Sequence, residues 1–141
     1  MKNVLTYKLF ESRHCKNCNF KAIKQELNEN IRDICQELID MGCEIEIPTQ
    51  KVSYDIMIHA PKKKYPEWDD IKEYICRVLE YGGNNISKLF ILRSDNSTFF
   101  PPHSANSACI DFDSPINYEE IENLNLIGYI IGFAFKYSEP T

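Results

Sequence analysis

Two cysteines separated by two residues, Cys15 and Cys18, are the pair whose type and spacing most plainly permit chemistry. A thiolate at the start of a helix is stabilised by the helix dipole, so a Cys-x-x-Cys there can cycle between dithiol and disulfide. His14 adjoins the pair, and His14, Cys15 and Cys18 together offer three ligands to zinc. A structural zinc site takes four, and no second Cys-x-x-Cys pair exists to complete the set. Cys35 lies on the apolar stripe of a helical segment and Cys43 shares parity with Ile45 and Ile47, so both read as small core residues. Cys76 borders the apolar face of its own helix, and Cys109 has the parity opposite to Ile110. The expectation is no cofactor, with zinc at the first three residues as the alternative.

Two further clusters suit binding. His59, Lys62, Lys63, Lys64, Tyr65 and Trp68 combine charge for phosphate with rings for stacking, as an RNA reader would. The competing reading is a solvated lysine loop with Trp68 packed onto the core from a helix start. Residues 94–107 form the longest irregular segment and hold Phe99, Phe100, Pro101, Pro102 and His103. Two adjacent aromatics before a Pro-Pro pair cannot both point inward from an extended chain, so one is expected at the surface. Phe99, Phe100, His103 and Trp68 are therefore the candidate binding residues, and a protein is the candidate partner.

Familiar catalytic patterns fail. There is no G-x-S-x-G, no Walker loop and no G-x-G-x-x-G. His59 and His103 lack a hydroxyl residue two positions on, which removes paired H-x-T chemistry. The deaminase pair, H-x-E with P-C-x-x-C, is absent because His14 abuts the cysteines and no proline precedes them. No RNP-type motif marks a strand as an RNA reader.

The elements that would position these residues follow from periodicity. Residues 4–10 alternate as a strand. Ile23, Leu27, Ile31, Ile34, Cys35 and Leu38 recur at helical spacing, with Asn19 placed to cap the helix and Gly42 to end it. This strand, Cys-x-x-Cys, helix entry resembles that of thioredoxins and glutaredoxins over residues 4–41, which implies thiol–disulfide chemistry at Cys15 and Cys18. Cys43, Ile45 and Ile47, then Val52, Tyr54, Ile56 and Ile58, alternate with polar residues on either side of a short connection at 48–51. That pattern predicts an antiparallel hairpin with one wet face. Ile71, Ile75, Val78 and Leu79 mark a second helix ending at Gly82 and Gly83, and residues 89–92 are continuously apolar.

The order β-α-β-β-α-β over residues 4–94 predicts an α+β protein with a ferredoxin-like core. In that arrangement residues 89–92 would form an edge strand, and so apolar an edge needs cover. The strand-like segments around Ala108–Phe112 and residues 126–137 are expected to extend the sheet beside it.

The chain has 141 residues, enough for one domain spanning residues 1–141 with a core that needs no staple. A net charge of −5 repels phosphate backbones, which argues against nucleic acid as a partner. Residues 1–10 lack the apolar run of a signal peptide, and the longest apolar stretch is about half of what a membrane helix needs, so a cytoplasmic, membrane-free protein with reduced thiols is expected. The function these features favour is a small acidic non-catalytic binding protein that inhibits, neutralises or assembles with a macromolecular partner, as an immunity-type or phage accessory protein would. The alternative is a thiol–disulfide or zinc protein built on Cys15 and Cys18.

Overall fold

The computed structural model describes residues 16–95, 97 and 108–139, with side chains from residue 19 onward. The first expected strand, at 4–10, lies outside these residues.

Helix α1 (Lys16–Ile34) is followed at once by α2 (Gln36–Asp40), the two separated only by Cys35. Leu27, Ile31, Cys35 and Leu38 are buried, which is the predicted stripe. The predicted start is too late. Asn19 does not cap the helix but lies inside it, and its buried Oδ1 has no partner among the described residues. The predicted end is right. Gly42 has φ +110, and the N–H groups of Gly42 and Cys43 donate to Ile39 O and Leu38 O at 3.0 Å each, a closure that satisfies the last carbonyls.

Strands β1 (Glu44–Glu46) and β2 (Ile56–His59) pair antiparallel, with Ile45 opposite Ile58. The hairpin is shorter than its alternation suggested. Cys43, Ile56 and Ile58 are buried and Ile45 is packed against the core, but Ile47 and Val52 are each 44% exposed. Pro48 has no N–H to offer a ladder, so pairing stops and residues 47–55 swing out as a connection.

Helix α3 (Trp68–Gly82) begins at a capping box in which Glu67 and Asp70 each accept from the other's backbone N–H. It buries the expected Ile71, Ile75, Val78 and Leu79. A 3-10 turn leads to β3 (Ile86–Ser94). Strand β4 (Ala108–Asp113), the short helix α4 (Tyr118–Glu122) and β5 (Tyr129–Tyr137) complete the described chain.

All five described strands form one antiparallel sheet in the order β1-β2-β5-β3-β4. Cover for β3 is present on both sides, by β4 and β5, as its apolar character required. The order is not the simple ferredoxin-like one. The place between β2 and β3, which that arrangement gives to its first strand, is held by β5. Its residues suit an interior position: Phe133, Phe135 and Tyr137 are buried on one face, and Gly132 and Ala134 on the other. Gly132 also permits the pairing, since a Cβ there would meet Ile58 O at 2.7 Å. Ile56, Ile58, Leu89, Ile91, Phe133 and Phe135 join the buried faces of α1 and α3 in one core cluster, with the rings of Phe133 and Phe135 edge to face at 5.8 Å.

Candidate binding groove

The predicted site residues are not brought together. Phe99, Phe100, His103, His14 and Cys15 lie outside the described residues. Of Cys18 only the backbone is described, within α1. Trp68 opens α3 with its ring 2% exposed and its Nε1–H donating to Leu124 O at 2.7 Å. Tyr65 is buried as well, so both rings of the lysine cluster point inward while Lys63 and Lys64 remain at the surface.

A groove of about 560 Å³ opens elsewhere, between α1, the 47–55 connection and the end of β5. Its first wall is a polar stripe of α1. Lys21, Lys24, Gln25 and Asn28 share one face because helical neighbours fall three and four residues apart. The second wall is the segment that leaves the hairpin after Glu46, carrying Ile47, Lys51 and Val52. Lys136, Tyr137 and Glu139 close the end.

The floor is fixed by Asp55. One of its carboxylate oxygens lies 2.9 Å from Lys24 Nζ, and the other accepts the Tyr137 N–H at 2.7 Å. Its own N–H donates to Phe135 O at 2.9 Å. The Tyr137 hydroxyl donates to Asn28 Oδ1 at 2.5 Å, and burial, then the Asp55 charge, push its phenol far above the ordinary range. Lys24 also sits 4.9 Å over the Phe20 ring, where the ring's negative face favours a cation. Helix, connection and strand therefore meet in one hydrogen-bonded network.

The outer edge is tied by Glu46. His59 Nε2 donates to Glu46 Oε1 at 2.7 Å, and the Tyr54 hydroxyl to Oε2 at 3.3 Å. The bond from His59, more than any other influence, holds the Glu46 carboxyl below its ordinary value. These contacts clamp the connection at its base and leave its middle facing the groove.

Lys24 is paired with Asp55, whereas Lys21, Lys51 and Lys136 make no ion pair among the described residues. Lys21, Lys51 and Lys136 thus line the groove together with the exposed aliphatic residues Ile47 and Val52. A second cleft of about 410 Å³ is lined by Tyr65, Tyr129 and Met41, but its acidic residues Glu67 and Asp70 are already used by the capping box.

Chemistry by thiols finds no support at either cavity. Burial pushes the Cys35 thiol up to about 12, with Cys43 adding to it, and the Cys43 thiol up to about 11, so neither is a nucleophile near neutral pH. Among the described residues no three His, Cys, Asp or Glu side chains gather as metal ligands, and no helix is long and apolar enough to cross a membrane. No family model, curated protein or solved structure matches the chain.

The groove was missed by sequence reasoning because Ile47, Val52 and Tyr54 read as strand residues. The available signals were Pro48, which ends pairing, and the recurrence of Lys21, Lys24 and Asn28 on one helical face.

Proposed function

We propose that the chain is a non-catalytic binding protein that inhibits, neutralises or assembles with a macromolecular partner, and that the groove beside the 47–55 connection is where it holds that partner. The observation that carries this reading is that two exposed aliphatic side chains, Ile47 and Val52 at 44% each, line the same groove as four lysines, over a hydrogen-bonded floor. Apolar contacts at the centre of a patch and polar groups at its rim are the anatomy of a protein interface. A floor fixed before binding loses little entropy on association, which favours affinity. The immunity-type or phage accessory role belongs to this reading, and it rests on small size and acidity.

The test is to replace Ile47 and Val52 separately with aspartate and compare co-purification from host lysate with that of the parent protein. Both side chains are exposed, so melting should be nearly unchanged while the co-purifying species is lost. Retention of every co-purifying species by both variants would sink the reading. The thiol alternative rests on the Cys15-x-x-Cys18 spacing alone. Metal analysis and thiol titration of the purified protein separate the two.

A further inference from the structure

We infer that the occupant of the groove is an acidic, extended peptide segment of the partner, its carboxylates meeting Lys21, Lys51 and Lys136 and its apolar side chains meeting Ile47 and Val52. The inference rests on the reading of the groove as the partner site and names the partner's chemistry.

Charge decides the sign of the ligand. The whole chain carries −5, yet the groove holds four lysines against Asp55 and Glu139. Lys24 and Asp55 neutralise each other at 2.9 Å. With that pair set aside, Lys21, Lys51 and Lys136 remain in the lining against Glu139. A concentration of positive charge in a negative protein has its own electrostatic cost, which an anionic ligand relieves.

Shape and composition decide its class. The lysines come from three different walls of the groove, and the connection also brings Ile47 and Val52 to its lining, which suits a segment that runs between them. A single phosphate would instead need donors converging on one point, and the lysines come from three separate elements. Nucleic acid fits less well because its bases want open ring faces to stack on, and of the two aromatic residues in the lining Tyr137 is buried and Tyr54 is tied to Glu46 through its hydroxyl. An extended peptide that alternates acidic and aliphatic residues presents one kind of side chain to each side. Lysine fits this role because it is a mobile point charge that accepts carboxylates at varied angles.

The test uses a fluorescein-labelled peptide of alternating glutamate and valine, read by anisotropy at neutral pH. The parent protein should bind it, and raising salt to about 0.15 M should weaken binding by shortening the screening length. K21E/K51E/K136E should lose on the order of tenfold or more in affinity, and K63E, away from the groove, should lose none. If the charge-reversed triple variant fails to fold, the neutral K21Q/K51Q/K136Q answers the same question. Replacing the peptide's glutamates with glutamine should cost as much as the triple variant does. The inference is overturned if the triple variant or the glutamine peptide binds as well as the parent pair, if the acidic peptide does not bind, or if oligothymidylate displaces the peptide better than unlabelled peptide does. Loss of co-purification in Ile47→Asp together with no peptide binding would reject the acidic occupant and leave the partner site standing. Unchanged co-purification in Ile47→Asp and Val52→Asp would reject the partner site itself.

Discussion

Asp55 holds more of this structure than its position in a connection suggests. It accepts from the Tyr137 N–H, pairs with Lys24 and fixes its own backbone to Phe135. Its side chain is 19% exposed and that of Lys24 37%, so the ion pair itself is screened and contributes little. The larger loss on truncation is the Tyr137 N–H, left without an acceptor at a buried residue. Asp55→Ala should therefore cost about 1–3 kcal/mol in urea unfolding, and Asp55→Asn, which keeps an acceptor, visibly less. Equal losses in the two variants would show that charge and not hydrogen bonding holds the floor. Glu46 makes a contrast. Its carboxyl is held below its ordinary 4.5, chiefly by the bond from His59, and it is exposed. A depressed carboxyl contributes stability that is present above the unfolded value and lost as pH falls through the folded one. The gap in urea midpoint between the parent and Glu46→Gln should accordingly be open at neutral pH and close as the pH falls below 4.5 and through the folded carboxyl's lowered value. A gap that persists under acid would assign the effect to packing.

The helices were legible in the sequence because their signals are local. A stripe at helical spacing, Leu27 to Leu38, fixed the buried face of α1 and α2, and Gly42 fixed their end through its positive φ. Asn19 misled because a good capping residue does not cap when it lies inside the helix. The sheet was less legible. Alternation tells which side of a strand is buried, but nothing local says which strand lies beside it. That is why β5 was recognised as a strand and not as the neighbour of both β2 and β3. Val52 and Tyr54 fell outside the ladder and off the core, Val52 being 44% exposed and Tyr54 bonded to the exposed Glu46, since alternation in sequence does not require a pairing partner. The groove was lost with them. The non-local pairing makes its own prediction at Gly132. A methyl there would meet Ile58 O at 2.7 Å and Met57 Cε at 3.2 Å, in the middle of the sheet. Gly132→Ala should destabilise by about 1–3 kcal/mol as β2 and β5 are pushed apart. A change near zero would mean that the two strands separate without loss.

The buried cysteines offer a way to ask whether the chain unfolds as one unit. Cys35 lies between α1 and α2, Cys43 leads into β1 and Cys76 is on α3, yet all three belong to the same core cluster. Their neighbours in that cluster include residues of β2, β3 and β5, so releasing any one of them requires opening a shared interior. A cooperative core exposes its parts together, whereas separable units open at different free energies. Cys109 is the contrast, exposed on the edge strand β4, with its Sγ–H donating to Asp111 Oδ1 at 3.3 Å. Partial burial and then Asp111 raise its thiol, so it should react slowly but without unfolding. The measurement is brief alkylation across a urea series, with peptide mapping of each site, in a C15S/C18S background that removes the other two thiols. Cys109 should label in the absence of urea, while Cys35, Cys43 and Cys76 should share one urea midpoint that coincides with loss of the far-ultraviolet dichroism. The same background tests the thiol alternative, since a protein that uses Cys15 and Cys18 for zinc would lose stability when both are replaced. Labelling of Cys76 at distinctly lower urea than Cys35 would show that α3 detaches from α1 before the sheet opens. The groove floor, which spans α1 and β5 through Tyr137 and Asn28, would then belong to the more stable part.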